Sequence, residues 1–168
     1  MNTFVNSRLF YFSFSIICAA LLGFGLYLEH NVGLEPCPLC VFQRIAFICI
    51  AIIALIAVIH GPGKVAIWLY SGLIMVTALI GGSIAGRQVW LQHLPADKVP
   101  ACGPGLDYML DSFPLGEALK MILSGSGECA EVGWTFMGLS IAEWSLLWFL
   151  IFITVTLFSI FYSKKTIS

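Results

Sequence analysis

Cysteines are the residues of this sequence whose types and spacing most clearly predict chemistry. Cys37 and Cys40 form a Cys-Pro-Leu-Cys motif, and Cys102 and Cys129 lie further along, in segments rich in glycine and proline. Paired thiols can be oxidised to a disulfide and can exchange that disulfide with the thiols of another protein. The pattern therefore predicts two pairs of cysteines that are suited to thiol–disulfide exchange.

The Cys-x-x-Cys motif stands directly before an apolar stretch that is expected to be helical. If the helix begins near Leu39, its free N–H groups and the positive end of its dipole point at Cys37 and Cys40 and favour their thiolates. Cysteines in such places have pKa values well below the ~8.5 of a free thiol. Arg44 lies on the same helix face, and its side chain is expected to lean toward the sulfurs, where it can stabilise a thiolate or the charge on a bound electron acceptor.

Other interpretations of these residues stay open at this point. The motif can belong to a zinc site, in which His30 and Cys102 or Cys129 would complete the four ligands. Both pairs can also be inert structural disulfides, which are frequent in oxidising compartments. Arg44 can simply extend its guanidinium to a membrane interface.

The elements that must position these residues are apolar stretches of membrane-spanning length. Hydrophobic residues make up 60% of the 168 positions, charged residues 10%, and the net charge is −1. A soluble chain of this size cannot bury so much apolar surface, and a nucleic-acid-binding protein would need a basic surface. About 20 apolar residues cross a bilayer as a helix. The sequence predicts an all-α integral membrane protein of one domain, a four-transmembrane-helix bundle with spans at about residues 9–28, 41–59, 65–85 and 144–162.

Four spans leave two loops on one side of the membrane, a short one at about residues 29–40 and a long one at about residues 86–143. Each loop carries one cysteine pair. The opposite side, which holds both termini, has no acidic residue and four basic ones: Arg8, Lys64, Lys164 and Lys165. By the positive-inside rule, we expect both termini in the cytoplasm and both loops in the periplasm or an equivalent oxidising compartment.

The long loop contains candidates for short helices, and the spans contain two further cysteines. Residues 106–110 and 115–123 of the loop are the helix candidates. The second has apolar residues at helical spacing, so it either lies in the membrane interface or packs on the bundle. Cys18 and Cys49 fall inside predicted spans, where we expect them to be buried small hydrophobic residues without chemistry.

The motifs together resemble those of the disulfide bond formation protein B (DsbB) family. The resemblance lies in the four spans, in Cys37-Pro-Leu-Cys40 with Arg44, and in Gly125-Ser-Gly-Glu-Cys129 followed by Trp134-x-x-x-Gly-Leu-Ser140. It covers nearly the whole chain. It implies a multi-pass protein of the bacterial inner membrane that reoxidises a soluble, thioredoxin-like periplasmic dithiol oxidase (DsbA) and passes the electrons to a membrane quinone, either ubiquinone or menaquinone.

The resemblance also implies a role for each residue of the pairs. Cys102 would be attacked by the thiolate of the partner protein, and Cys129 would be its pair. Cys129 would then attack Cys37, and Cys40 would face the quinone. Arg44 would hold the quinone and polarise one of its carbonyl oxygens.

A second quinone contact is expected near the outer end of the third span, where some members of the family have a histidine. This sequence has Arg87-Gln88 there, and the nearest histidine, His93, comes five positions after Gln88. Gln88 is therefore the expected substitute as a hydrogen-bond donor, with His93 as the alternative. No metal is implied.

Two other functions compete with this interpretation. One is a reductase resembling the vitamin K epoxide reductase group, whose members are also small helical bundles with a Cys-x-x-Cys motif near quinone; the loop order and the segment around Cys129 argue against it. The other is a non-catalytic membrane scaffold with structural disulfides, in which cysteine substitutions would change only the abundance of the protein.

The predicted topology places Cys37 and Cys102 on the same side of the membrane. After reduction, a membrane-impermeant maleimide added to the periplasmic side should label both in single-cysteine variants, because both loops face that side. A cysteine introduced by Lys64→Cys should react only after the membrane is permeabilised. Labelling of Cys37 and Cys102 from opposite sides would contradict the topology.

Overall fold

Four long helices form the frame of the protein. The computed structural model describes residues 2–61, 63–101, 108 and 111–165. Each long helix contains one of the predicted spans and is long and apolar enough to cross a bilayer. The prediction of a four-helix membrane protein is therefore confirmed, with helices α1 (Asn2–Val32), α2 (Pro38–His60), α3 (Lys64–Gln92) and α6 (Ile141–Lys165).

The helices extend beyond the predicted spans at the end of the bundle that carries the cysteines. Helix α1 continues to Val32 and α3 to Gln92, so residues 33–37 alone separate α1 from α2. The hydrogen bonds of a helix are made by the backbone, so polar residues can continue it past the hydrocarbon layer. Hydropathy therefore predicted the part of each helix that crosses the membrane but not the position at which the helix ends.

The long connection between α3 and α6 holds several short elements. In the described part of this connection, the elements with defined bounds are a 3₁₀ turn, two short helices and an antiparallel pair of strands: Ala96–Lys98, α4 (Leu115–Ser124), α5 (Gly127–Ala130), β1 (Thr135–Phe136) and β2 (Leu139–Ser140). Helix α4 confirms the candidate at residues 115–123, whereas most of the candidate at residues 106–110 lies outside the described residues. The two strands were not predicted, because two-residue strands are too short to show an alternating pattern.

Aromatic contacts fasten this small hairpin to two membrane helices. Trp134 lies edge-on to Phe24 of α1, with ring centroids 5.6 Å apart, and stacks on Phe136 at 6.0 Å. The Trp144 indole N–H of α6 donates to the Phe136 carbonyl at 3.1 Å. The hairpin therefore ties the end of the long connection to α1 and α6.

Stacked rings and small residues fill the interior of the bundle. Phe47 of α2 stacks on Phe149 of α6 with centroids 4.3 Å apart, and Phe14 of α1 stacks on Phe152 of α6 at 4.8 Å. Gly81 of α3 faces the Phe149 ring so closely that a Cβ atom there would overlap it. Small residues allow membrane helices to approach each other in this way.

The two cysteines inside the spans differ in their surroundings. Cys18 is fully buried in the core of the bundle, as predicted, but Cys49 is exposed on the outer surface of α2. The prediction of burial was wrong for Cys49 because an apolar residue of a membrane helix can face lipid as readily as it faces another helix.

Gly81→Ala is expected to destabilise the bundle, because the added methyl group would overlap the Phe149 ring and crowd Ala46. Overpacking of a core typically costs about 1–3 kcal/mol. Gly72→Ala on the same helix is the matched control, since its methyl group would meet no neighbouring atom within 4 Å. Thermal unfolding in detergent measures both, and equal melting temperatures for the two variants would disprove this account of the packing.

Candidate thiol-exchange site

The Cys-x-x-Cys motif forms the start of α2. Cys37 is the N-cap residue, and its sulfur accepts a hydrogen bond from the Cys40 backbone N–H at 3.3 Å. Pro38 takes the first helical position, where a missing N–H costs no helical hydrogen bond. The two sulfurs are 2.8 Å apart, and both thiols are free. The prediction that a helix N-terminus is directed at this pair is confirmed.

The thiol of Cys129, from the long connection, lies against the same pair. Cys129 is fully buried on α5, and its sulfur is hydrogen-bonded to the Cys37 thiol and, at 3.7 Å, to the Ser126 hydroxyl. Cys37 is thus the common neighbour of Cys40 and Cys129. The structure brings these three predicted cysteines together, while Cys102 lies outside the described residues.

An apolar cluster holds the Cys129 segment over the start of α2. Ile122 of α4, Leu39 of α2 and Leu91 of α3 are at most 1% exposed and pack in one cluster with Cys37 and Cys129. Helix α4 thus packs on the bundle through Ile122, which agrees with one of the two placements that the sequence allowed for the loop helix. Burial of the side chains in this cluster is worth roughly 1.5–3 kcal/mol for each large residue.

The turn between α4 and α5 completes this docking. Gly125 has a φ of +81°, which favours glycine, and a Cβ atom there would overlap the Leu91 side chain. Arg87 of α3 donates a hydrogen bond to the Ser124 carbonyl at 2.9 Å. These contacts fix where α5 begins and hence where Cys129 lies.

The contact between Cys37 and Cys129 shifts the pKa values of the two thiols in opposite directions. The hydrogen bond from Cys37 lowers the pKa of Cys129 from 9.0 to about 6, against the opposing effect of burial. The same contact raises the pKa of Cys37, and the contact with Cys40 and burial raise it further. At neutral pH, therefore, Cys129 is the thiolate and Cys37 keeps its proton.

Two buried glutamines line the polar side of the pair. The side-chain nitrogen of Gln88 on α3 lies 3.2 Å from the sulfur of Cys37 and 3.2 Å from that of Cys40. Its oxygen accepts a hydrogen bond from the Gln43 side-chain amide of α2 at 2.6 Å. The sequence predicted Gln88 at the site but assigned no role to Gln43. The available signal was a polar residue inside an apolar span, where such residues usually face the bundle interior.

Arg44 is directed at α1 rather than at the sulfurs. Its guanidinium forms an ion pair with Glu29 and donates to the Gly25 carbonyl at 3.2 Å. The expectation that it leans toward Cys37 and Cys40 was therefore wrong, because the contacts described for its guanidinium are with residues of α1. A carboxylate binds guanidinium more strongly than a neutral thiol does. Sequence reasoning missed Glu29 because it was assigned to a loop instead of the last turns of α1.

His93 lies just after α3 and away from the sulfurs. Its Nδ1 is 2.9 Å from the Val89 carbonyl, and its Nε2 is 3.9 Å from the Glu143 carboxylate of α6. In the described part of the chain, Gln88 and not His93 is the polar side chain of α3 in contact with the cysteine pair.

The lowered pKa of Cys129 predicts how its reactivity depends on pH. In the reduced protein, alkylation of Cys129 by iodoacetamide should level off above about pH 6. Below that pH, it should fall by about tenfold per unit, because only the thiolate reacts. Cys37→Ala removes the principal donor and should move the midpoint upward, toward 9.0. Peptide mass spectrometry measures the rates, and a midpoint that Cys37→Ala leaves unchanged would be inconsistent with this assignment.

Ser126→Ala is the control for this measurement. The Ser126 hydroxyl makes the smallest of the favourable contributions to the pKa of Cys129, so its removal should shift the midpoint less than Cys37→Ala does.

Comparison with known proteins gives one consistent result. The profile of the family described as "Disulfide bond formation protein DsbB" matches residues 7–159. "Disulfide bond formation protein B" of Azoarcus sp. (strain BH72) is 54% identical over 142 residues, which are 84% of this chain and 85% of that protein. The protein of the same name from Hahella chejuensis is 50% identical over 159 residues, 95% of this chain and 96% of that protein. "Disulfide bond formation protein B 1" of Pseudomonas aeruginosa is 50% identical over 146 residues, 87% of this chain and 89% of that protein. With four membrane-spanning helices and a cluster of thiols at one end of the bundle, this chain belongs to the DsbB family of membrane thiol oxidoreductases that form disulfide bonds.

Proposed function

We propose that this protein takes electrons from a soluble, thioredoxin-like dithiol oxidase of the DsbA type and passes them to a membrane quinone. The observation that supports this most directly is the contact of the Cys129 thiol with Cys37, beside Cys40. Thiol–disulfide exchange requires a thiolate in contact with the sulfur that it attacks. The arrangement suits transfer of electrons from the long connection to the pair at the start of α2.

The first exchange takes place at the outer pair. A thiolate of the reduced partner attacks Cys102, the bond between Cys102 and Cys129 breaks, and Cys129 leaves as a thiolate. The second thiol of the partner then displaces Cys102, so the partner departs with a disulfide. The outer pair has then gained the two electrons that the partner lost.

The second exchange moves these electrons toward the membrane. The Cys129 thiolate attacks Cys37, the bond between Cys37 and Cys40 breaks, and Cys40 leaves as a thiolate. Cys102 then displaces Cys37 from Cys129, which restores the outer disulfide and leaves the inner pair reduced. The pKa of about 6 for Cys129 supports its role as the attacking group, because it is ionised at neutral pH.

The inner pair is reoxidised by a quinone, which accepts two electrons and two protons when bound. Cys40 is the partly buried member of the pair on α2, and Arg44 lies one helical turn further along. Arg44 commits one N–H to Glu29 and one to Gly25, so that other donors of its five N–H groups remain for a carbonyl oxygen. Gln88 also lies beside Cys40 and is proposed as a second contact, with His93 as the alternative. Ubiquinone and menaquinone both present such oxygens.

We also propose the bacterial inner membrane as the location, with both termini in the cytoplasm. The ends of the long helices that carry the cysteines face the periplasm in this orientation. Disulfides form and persist in that compartment, whereas cytoplasmic thiols are kept reduced. The opposite end carries the basic residues of the termini and of the turn between α2 and α3.

A turnover assay tests the proposed function. The purified protein is incubated with quinone and a reduced DsbA-type protein, and quinone absorbance is followed. Cys40→Ser and Cys102→Ser should each abolish turnover, because each breaks one exchange step. Cys49→Ser should retain it, since Cys49 is exposed on the outer surface of α2. Full turnover in both of the first two variants would refute the proposal.

A further inference from the structure

The side-chain amide of Gln88 has a donor end and an acceptor end, and these have opposite effects on a neighbouring sulfur. An N–H group donates to a thiolate and stabilises it, whereas a carbonyl oxygen repels it. Rotation of the amide by 180° exchanges the two ends with almost no change in shape. The chemistry of Cys37 and Cys40 therefore depends on which end of Gln88 faces them.

Gln43 determines this orientation in the structure. Its side-chain nitrogen lies 2.6 Å from the Gln88 oxygen, and the Gln88 nitrogen lies 3.2 Å from each of the two sulfurs. The Gln88 oxygen is also 3.6 Å from the Cys40 sulfur, so the nitrogen is the nearer end of the amide to both sulfurs. Both glutamines are only 3% exposed. If Gln88 alone were flipped while Gln43 kept its orientation, two N–H donors would face each other in a buried place, which is strongly unfavourable.

We propose that Gln43 is a positioning residue, which holds the Gln88 amide with its N–H groups directed at Cys37 and Cys40 and thereby favours the reduced form of this pair. Gln88 then acts directly on the reacting sulfurs, at which both of its N–H groups are directed. The quinone contact proposed above requires one of these N–H groups to turn from a sulfur to a quinone oxygen. This inference deepens the proposed function, on which it rests.

The energetic consequence concerns the oxidising strength of the Cys37–Cys40 disulfide. Reduction of this disulfide adds two electrons and gives two sulfurs, of which the ionised one gains most from an N–H donor. Stabilisation of the reduced form makes a disulfide a stronger oxidant. A strongly oxidising inner pair is what a protein requires if it must accept electrons from a partner that is itself a strong oxidant.

Redox equilibration with glutathione tests the inference without quinone or partner protein. Two molecules of glutathione reduce the Cys37–Cys40 disulfide to two thiols and are themselves joined in glutathione disulfide. Trapping by alkylation and peptide mass spectrometry then give the equilibrium constant for this pair within the full chain. Methionine replaces each glutamine, because it has a similar size and removes the amide donor and acceptor.

Gln88→Met should shift the equilibrium toward the disulfide by roughly tenfold, since hydrogen bonds to charged groups are the stronger ones. Gln43→Met should shift it in the same direction by a smaller factor, roughly threefold, because the Gln88 amide remains but is no longer held. If Gln43 acts only through Gln88, the double variant should behave like Gln88→Met alone.

Gln92→Met is the matched control, because Gln92 lies one turn further along α3 and its oxygen accepts a hydrogen bond from the Ser140 hydroxyl at 2.7 Å. It should leave the equilibrium unchanged. If Gln43→Met does not fold in detergent, Gln43→Asn replaces it, since that side chain is one methylene too short to reach the Gln88 oxygen and should give the same shift.

An equilibrium that the substitution at Gln43 leaves unchanged would overturn the inference, as would an effect of Gln43→Met that persists in full in the Gln88→Met background. These outcomes are separate from failure of the proposed function. That failure would appear as turnover retained in the cysteine variants, whatever the equilibrium with glutathione.

Discussion

The sulfur of Cys37 contacts two other sulfurs, and the rest of the described structure serves to keep it there. Cys40 approaches from the first turn of α2, and Cys129 approaches from the long connection. Exchange between two cysteine pairs requires such a shared neighbour, because a thiolate must touch the sulfur that it attacks. The N-terminus of α2 supplies a fixed N–H donor at this point. Burial of the apolar cluster around Leu39 and Ile122 holds the long connection against the start of α2.

Burial limits which sulfur a partner protein can reach. Cys129 is fully buried against Cys37, so in this arrangement a second protein has no access to it. A partner protein would therefore have to begin the exchange at another sulfur, and Cys102 is the one that the proposed function assigns to this step. The hydrogen bond from Cys37 keeps the buried Cys129 thiol ionised near neutral pH, although burial alone would favour the protonated form.

Polar side chains near the membrane are costly unless they are paired, and those around this site are paired with each other. Gln43 donates to Gln88, which donates to the sulfurs, and Arg44 is paired with Glu29. These pairs also connect helices: the glutamines join α2 to α3, and the ion pair joins α1 to α2. The polar groups that surround the site thus also fix the relative position of the helices that carry it.

The sequence by itself determined the four spans and the helix that begins at the Cys-x-x-Cys motif. These features depend on the length of apolar stretches and on local helix signals, which any short window of the sequence contains. Only the tertiary structure decided that Arg44 pairs with Glu29, that Gln43 faces Gln88 and that Cys49 faces outward. Each of these depends on how far a helix is rotated about its own axis. That rotation is set by close packing between residues that are distant in the sequence, such as Gly81 and Phe149. It therefore cannot be predicted from a local sequence pattern.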